Sequence, residues 1–113
     1  MRDAFFKGHG LGNDYLVVDP EELSVPVTPR FVRALCDRHT GVGADGLLVG
    51  VPPRDAHFGV RIFNPDGSEA ERSGNGLRIF ARWLVDHRGA PADFSVHTLG
   101  GVVHCAVLNK GSV

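Results

Sequence analysis

The sequence GNGLRIFARWLVDHR, residues 74–88, predicts the helix on which the rest of the fold depends. At 100° per residue its polar side chains form one narrow stripe, made by Arg78, Arg82 and Asp86. Apolar side chains cover the remaining arc of roughly 240°, far wider than the ~100° face of a helix that lies on a single sheet surface. Gly89 follows as the expected C-cap. We therefore expect a helix about 22 Å long that forms the axis of the domain, with short strands curled around it.

Short strands and one further helix are predicted on both sides of this central helix. Thr28 and Pro29 form an N-cap followed by proline at the first helical position, which predicts a helix from about Pro29 to Arg38. Runs of β-branched and aromatic residues alternate with glycine clusters that mark turns. The predicted strands are Asp3–Lys7, Asp14–Asp19, Gly46–Val51, His57–Phe63, Asp93–Thr98 and Val102–Leu108, of which the last two form a hairpin. Neither a repeat nor a linker is visible, so one α+β domain is expected.

The composition argues against binding that is driven by bulk charge. The chain has 113 residues with 12 basic and 13 acidic side chains, and its formal net charge is −1. This balance gives no sign of a basic patch for nucleic acid or for a membrane surface. No apolar run approaches the ~20 residues of a membrane span, and the N-terminus lacks the apolar region of a signal peptide. We therefore expect a cytoplasmic protein with no nucleic-acid or membrane partner.

Cysteine and histidine residues show no pattern typical of a metal or redox site. Cys36 and Cys105 lie far apart without CxxC spacing, so we expect both to be reduced and to pack as small hydrophobic residues. The six histidines show no HExxH or other ligand spacing. The sequence therefore predicts no metal site.

The glycine-rich stretch that enters the central helix is the best candidate for chemistry. Asn64-Pro-Asp-Gly67 predicts a turn, and Ser73-Gly-Asn-Gly76 opens the helix. The unpaired N–H groups and positive dipole end of a helix N-terminus can hold a carboxylate or a phosphate, and the two glycines would let a ligand approach the backbone. The alternative is that Ser73 is an ordinary N-cap and that the glycines serve a tight turn.

Four motifs, in order along the chain, resemble the N-terminal half of the diaminopimelate epimerase family. They are His9-Gly-Leu-Gly-Asn13-Asp14-Tyr15, Asp37-Arg-His-Thr-Gly-Val-Gly-Ala-Asp45-Gly46, Phe63-Asn64-Pro-Asp-Gly-Ser-Glu-Ala70 and Ser73-Gly-Asn-Gly-Leu-Arg-Ile-Phe-Ala81-Arg82. The resemblance implies a mixed, strongly curled β-sheet wrapped around a central helix, as one of two similar halves with the active site in the cleft between them. We therefore expect residues 1–113 to be the N-terminal epimerase-like domain, with the second half outside this chain.

The resemblance also implies a cofactor-independent inversion at an amino-acid α-carbon, the interconversion of LL- and meso-diaminopimelate. In the family one cysteine removes the α-proton and a second returns a proton from the other side, each from the start of a central helix. Ser73 occupies the first of these positions. A helix N-terminus can lower the pKa of a thiol into a useful range, whereas a serine hydroxyl is far more basic. Ser73 could relay a proton, cap the helix or mark an inactive site, and these alternatives stay open.

Other residues that line the substrate pocket in the resembling enzymes are present here. The resemblance implies that Asn13, Asn64 and Asn75 bind substrate and that the amides of Gly74 and Asn75 hold the α-carboxylate. Amide side chains both donate and accept hydrogen bonds, which suits a zwitterion. For Asn13 and Asn64 the alternative is turn chemistry beside glycine or proline. Gly46 stands where some members carry a glutamine, so one contact is expected to be missing.

Three functions remain open on the sequence alone. The first is an epimerase half that acts on diaminopimelate when paired with a second half, the isolated chain being inactive. The second is a racemase or isomerase of another small acid. The third is a non-catalytic remnant, which the serine at the position of the family cysteine favours. The expected partners are a small amino-acid substrate and either a second epimerase half or a second copy of this chain.

Overall fold

A computed structural model describes residues 6–10, 12–19, 21, 26–71 and 73–107. This part of the chain contains seven strands and two helices. In chain order they are β1 (Phe6–Gly10), β2 (Asn13–Val18), α1 (Pro29–Cys36), β3 (Leu47–Val51), β4 (Phe58–Phe63), β5 (Glu69–Ala70), α2 (Gly74–Arg88), β6 (Asp93–Thr98) and β7 (Gly101–Ala106).

The strands form one mixed sheet in the order β1-β2-β3-β4-β6-β7, and β5 pairs with β4 beside this path. β2 runs parallel to β3 and β4 runs parallel to β6, while the other pairs are antiparallel. The register puts Leu47 of β3 between Leu16 of β2 and Phe63 of β4. The start of β2 and the end of β4 therefore lie at the same end of the sheet. The α+β class with a mixed sheet is confirmed.

Both faces of the central strands β2 and β3 are buried, because successive side chains of a strand point to opposite faces and both sets are apolar here. Val17 and Leu48 belong to the core cluster around α2. Their neighbours Leu16 and Leu47 belong to a second cluster around α1. The central strands therefore read as continuous apolar runs, as is typical of strands covered on both sides.

Helix α2 has the bounds that the sequence predicts. Its N-cap is Ser73, whose backbone is extended and whose Oγ accepts the Gly76 N–H at 3.0 Å. Its C-cap is Gly89, in the left-handed conformation with φ of 69°, where a side chain would add strain. The buried side chains of the helix are Leu77, Ile79, Phe80, Ala81, Trp83 and Leu84. The wide apolar arc is therefore buried, as the helical wheel indicates.

The strong curl expected of the sheet is not supported. The sheet is open, with β1 at one edge and β7 at the other. Helix α2 packs against β1, β2 and β7. An open sheet thus covers the helix from its edges as well as from its middle, and burial of a wide arc does not require a strongly curled sheet. The helical wheel indicates how much of a helix is buried, but it does not indicate the shape of the sheet that buries it.

Several predicted strand boundaries also change. β1 continues through the glycines of Gly8 and Gly10, where a loop was expected, and the predicted start at residues 3–5 lies outside the described residues. Leu108, the predicted end of the hairpin, lies outside them as well. The two-residue strand β5 is not visible in the sequence, because it exists only through its pairing with β4.

Helix α1 begins as predicted and ends earlier. The Thr28 Oγ1 accepts the Phe31 N–H at 3.1 Å, which is the expected N-cap bond. The helix ends at Cys36 rather than Arg38, because the carboxylate of Asp37 accepts the N–H groups of residues 39 and 40 and starts a turn. Local capture of backbone donors by Asp is a known competitor of helix continuation.

The two cysteines are free thiols within the described chain. Cys36 is buried on α1 and Cys105 is half-buried on β7. Burial raises the pKa of both thiols, so neither is an activated nucleophile. Their predicted role as small packing residues is confirmed.

Candidate active site

The candidate active site lies at the N-terminal end of α2, where the start of β2 meets it. The first N–H groups of a helix have no partner inside the helix, and here they belong to Gly74, Asn75 and Gly76. The Gly76 N–H is capped by Ser73. Gly74 is exposed, and no neighbouring segment comes within 4 Å of the place that a Cβ would occupy. This end of the helix is therefore open to a small ligand.

Two asparagine side chains meet beside the helix start. Asn75 Nδ2 donates to Asn13 Oδ1 at 2.6 Å, and Asn13 Nδ2 donates to Asp45 Oδ2 at 3.4 Å. The same Asp45 oxygen accepts the Asp14 N–H at 3.0 Å. The amide of Asn13 is thus held by a donor on one side and an acceptor on the other. Asn13 and Asn75, for which the resemblance implies one shared pocket, are in direct contact.

A tyrosine from β2 reaches the serine at the helix start. Tyr15 Oη and Ser73 Oγ are 3.0 Å apart, at hydrogen-bond distance. The Tyr15 ring lies against Gly46, where an added Cβ would be 2.5 Å from Tyr15 Cε2 and 2.8 Å from the Phe63 carbonyl oxygen. Tyr15 therefore occupies the space that a side chain at position 46 would need. The glutamine that the resemblance implies for some members would therefore not fit at position 46 beside this tyrosine ring.

Charged groups surround the start of β2. Arg38 Nη2 donates to Asp14 Oδ1 and to Asp45 Oδ1, each at 2.9 Å, and Lys7 Nζ lies 3.3 Å from Asp14 Oδ2. The hydrogen bond from Arg38 holds the pKa of the Asp14 carboxyl well below its usual range. The same contact raises the pKa of Arg38. Asp14 is therefore an ionised anchor that ties the loop after α1 to β2, rather than a base.

Asn64 lies at the same end of the sheet, but its hydrogen bonds stay within its own turn. Its Nδ2 donates to Ser68 Oγ at 2.9 Å, and its backbone N–H donates to the Ser68 carbonyl at 2.8 Å. The Gly67 N–H donates back to the Asn64 carbonyl at 2.9 Å. These bonds fit the turn role that the Asn-Pro-Asp-Gly pattern indicates. Asn13, Ser73, Gly74 and Asn75 come together at the helix start, and for these residues as for Asn64 a pocket role stays a prediction.

Sequence reasoning assigned no role to Tyr15 or Asp45, although both lie inside the quoted motifs. The strand period could have indicated that Tyr15 lies near the site, because residues i, i+2 and i+4 of a strand line one face. Asn13, Tyr15 and Val17 therefore project together towards α2, and Val17 packs in its cluster. Asp45 carries no such signal, because the loop that brings it to Asn13 follows no regular period.

The arrangement is suited to a small zwitterion. It combines a hydroxyl, two amide side chains and a helix N-terminus, whose dipole favours an anion by about 0.3–1 kcal/mol at an exposed site. Among the described residues, no three His, Cys, Asp or Glu side chains come together in a way that could hold a metal ion. Within the same residues, neither helix is long and apolar enough to cross a membrane.

The structure resembles solved proteins of a related fold. A phenazine biosynthesis protein of the PhzF family from Enterococcus faecalis matches with a TM-score of 0.65 and 13% identity, over 90% of this chain and 39% of that one. A PhzF-family protein from Bacillus anthracis matches with a TM-score of 0.64 and 24% identity, over 90% of this chain and 32% of that one. At this level of identity the likeness shows the fold alone.

Sequence comparison is more specific. Diaminopimelate epimerase 2 of Nostoc sp. is 50% identical over 109 residues, which cover 95% of this chain and 38% of that protein. The diaminopimelate epimerases of Nostoc punctiforme and Archaeoglobus fulgidus are 45% and 46% identical, over 42% and 39% of their lengths and 100% and 95% of this chain. The chain thus spans about two fifths of these relatives. The family model described as diaminopimelate epimerase matches residues 5–113, so this chain belongs to the diaminopimelate epimerase family.

Proposed function

We propose that this chain is the N-terminal half of a cofactor-independent epimerase that interconverts LL- and meso-diaminopimelate, an isomerase of lysine and cell-wall precursor biosynthesis. Family membership supports this, as do relatives named diaminopimelate epimerase, of which the chain spans about two fifths. A second half would face the start of α2 and complete the cleft. The competent form is therefore the paired one, and the isolated chain is expected to be inactive.

One observation carries the proposal: the Asn13–Asn75 amide pair lies next to Ser73 and the open amide of Gly74. In the proposed complex the Gly74 and Asn75 N–H groups bind the α-carboxylate. The side chains of Asn13 and Asn75 bind the remaining polar atoms of the amino-acid head group, and Asn64 contributes from the neighbouring turn. This arrangement directs the α-carbon towards Ser73.

Ser73 is a weak version of the family base. A helix dipole contributes at most about 2 kcal/mol in a partly buried site, and one pKa unit corresponds to 1.36 kcal/mol. The dipole can therefore bring a thiol towards neutrality but not a serine hydroxyl. We expect slow removal of the α-proton by this protein relative to a form with cysteine at the same position.

A non-catalytic binding role is the second candidate, and a specific observation favours it. Ser73 Oγ accepts the Gly76 N–H and lies 3.0 Å from Tyr15 Oη, so the serine already serves as a cap with two polar neighbours. In that case the pocket would still bind the head group, but Ser73→Cys would not raise proton exchange.

Proton exchange tests the two candidates. This chain replaces the matching N-terminal portion of the Nostoc sp. relative, and the exchange of the diaminopimelate α-proton into deuterated water is followed. Ser73→Cys should raise the rate by at least ~100-fold, the lower end of what a positioned acid or base contributes. Ser95→Cys is the matched control, because Ser95 lies on β6 and its hydroxyl accepts the His57 N–H. Equal rates for wild type and Ser73→Cys would exclude Ser73 from the proton-transfer position.

Ligand binding provides a separate test of the site. Diaminopimelate is titrated into the paired protein while the amide signals of Gly74 and Asn75 are followed by NMR. We expect both signals to shift, while the amide of Gly101, in the β6–β7 hairpin, does not. Unchanged signals at millimolar ligand would overturn the assignment of the carboxylate site.

A further inference from the structure

We infer that Tyr15 is the proton partner of Ser73, so that the two hydroxyls together replace the single thiol at the start of α2. The inference rests on the proposed function and adds a residue to it. Tyr15 acts through Ser73 and is not placed against the substrate, so its role is that of a positioning residue that also exchanges a proton with the serine.

The hydrogen-bond inventory at Ser73 supports this pairing. A serine hydroxyl has one proton and two lone pairs. One lone pair accepts the Gly76 N–H at 3.0 Å, and the Tyr15 hydroxyl lies 3.0 Å from the same oxygen. Either hydroxyl can donate to the other, so a proton can be held by Tyr15 or by Ser73 without movement of heavy atoms. The cap bond to Gly76 keeps Ser73 Oγ in place in both arrangements.

The surroundings of the Tyr15 ring show why a tyrosine can reach the helix start. Gly46 offers no side chain, and a Cβ there would be 2.5 Å from Tyr15 Cε2. The ring is half-buried and packs against the core cluster around α2. A phenylalanine would fill the same volume without reaching Ser73, so packing alone does not account for the hydroxyl. The hydroxyl, 58 positions away in sequence, is instead directed at the proposed base.

The proposed proton transfer balances with these two residues and solvent. Ser73 Oγ and Tyr15 Oη form a relay across their 3.0 Å contact. The α C–H bond of the substrate breaks, and its electron pair stays on the α-carbon and delocalises into the carboxylate. The α-proton forms a new O–H bond at Ser73 Oγ, the original Ser73 hydroxyl proton moves to Tyr15 Oη, and the original Tyr15 hydroxyl proton leaves Oη for solvent. Each hydroxyl then carries one proton again, so the pair is restored.

A double-mutant cycle in the paired protein tests the inference. Exchange of the diaminopimelate α-proton is measured for wild type, Tyr15→Phe, Ser73→Cys and the double variant. Tyr15→Phe should lower kcat by at least ~100-fold in the serine background with KM unchanged, because it removes a proton acceptor and no substrate contact. In the cysteine background the same change should alter kcat by less than about 3-fold, because a thiol ionises without a partner. The difference between the effects of Tyr15→Phe on kcat in the two backgrounds measures the coupling between residues 15 and 73.

The outcomes separate the inference from the proposed function. Equal loss of kcat in both backgrounds would mean that Tyr15 only supports packing. No loss of kcat in the serine background would mean that Tyr15 is not used. Either result overturns the inference, and the proposed function still stands if the Ser73→Cys form exchanges the α-proton. Absence of exchange from all four forms would overturn both.

A spectroscopic measurement on this chain itself examines the contact directly. The chain has one tyrosine and one tryptophan, so the ring signals of Tyr15 and Trp83 are unambiguous in NMR spectra. Ser73→Ala should shift the Tyr15 ring signals and speed exchange of its hydroxyl proton, while Trp83 stays unchanged. Ser95→Ala is the control and should leave Tyr15 unaffected. Identical Tyr15 signals in wild type and Ser73→Ala would overturn the pairing.

Discussion

Gly46→Ala adds one methyl group at the most crowded point of the candidate site, and we expect it to lower the free energy of unfolding by about 2 kcal/mol. The new Cβ would lie 2.5 Å from Tyr15 Cε2 and 2.8 Å from the Phe63 carbonyl oxygen. Carbon atoms pack best at about 3.5–4.0 Å, so the ring would have to move by about 1 Å. The carbonyl belongs to β4, which is paired with β3 and cannot move freely.

Three contributions give this magnitude. Forcing an extra methyl into a packed site costs about 1–3 kcal/mol. Moving the Tyr15 ring also strains its hydrogen bond to Ser73, which is worth about 0.5–1.5 kcal/mol. Against these stands a gain of about 0.4–1 kcal/mol, because alanine restricts the unfolded chain more than glycine does. A net loss of about 2 kcal/mol corresponds to a fall in Tm of roughly 8 °C for a domain of this size.

Urea unfolding followed by the fluorescence of Trp83 is the appropriate assay. Trp83 is the one tryptophan of the chain and its side chain is buried in the core on α2. Gly50→Ala, on β3, is the matched control, because its Cβ would meet only the Val18 carbonyl at 3.9 Å and Phe80 Cζ at 4.0 Å, ordinary contact distances. The control should be unchanged or slightly stabilised. A Gly46→Ala variant as stable as Gly50→Ala would refute the steric reasoning and the placement of the Tyr15 ring.

Further changes at the site have equally definite consequences. Because the folded-state pKa of Asp14 is lowered, its contribution to stability is present above the usual carboxyl pKa of about 3.9 and is lost as pH falls below it. Arg38→Met should therefore make the urea midpoint decline less steeply between about pH 5 and pH 2. An unchanged slope would count against the ion pair. Ser73→Ala removes the N-cap of α2 and should cost about 0.5–2 kcal/mol of stability, measured by the same unfolding assay, with no loss contradicting the cap. Asn75→Ala breaks the bond to Asn13 and should cost about 0.5–1.5 kcal/mol of stability and weaken diaminopimelate binding in the paired protein; calorimetry that finds equal affinity would remove Asn75 from the site. In the proposed function a second half covers the start of α2, so the isolated chain leaves that face uncovered and should self-associate. Analytical sedimentation checks this, and a clean monomer would contradict it.

Local signals in the sequence predicted the central helix with its limits. Ser73 and Gly89 are a strong N-cap and C-cap, and the helical period between them is long enough to be unambiguous. The predicted end of α1 is two residues too late, because the Asp37 side chain accepts backbone N–H groups and starts a turn. This effect is local, and aspartate is a residue type known to produce it. β5 could not be predicted, since two residues form a strand only when a partner strand is beside them.

The candidate site was only partly predictable for the same reason. Gly74 and Asn75 follow Ser73 in the chain, so their place at the helix start was set once the helix was recognised. Asn13 joins them only because β2 pairs within the sheet. The family resemblance implied a shared pocket for Asn13 and Asn75, whereas the periodicity of the sequence did not. The contact of Tyr15 with Ser73 depends on side-chain reach across 58 positions. Neither the periodicity nor the local composition of the sequence indicates such a contact.

If the amide pair beside α2 binds the head group as proposed, it also affects which molecules the pocket excludes. Asn13 and Asn75 already satisfy each other at 2.6 Å, so a molecule that uses their amides must first separate them. A zwitterion that replaces the lost bond with its own donors and acceptors gains little affinity from the exchange but pays no penalty either. An apolar acid that separates the pair would leave the Asn75 Nδ2 donor and the Asn13 Oδ1 acceptor without the bond between them. Each unsatisfied group costs about 1–3 kcal/mol, a discrimination of roughly 5- to 150-fold. In the proposed site the pair would therefore select its ligand by rejecting the wrong head group rather than by binding the right one tightly.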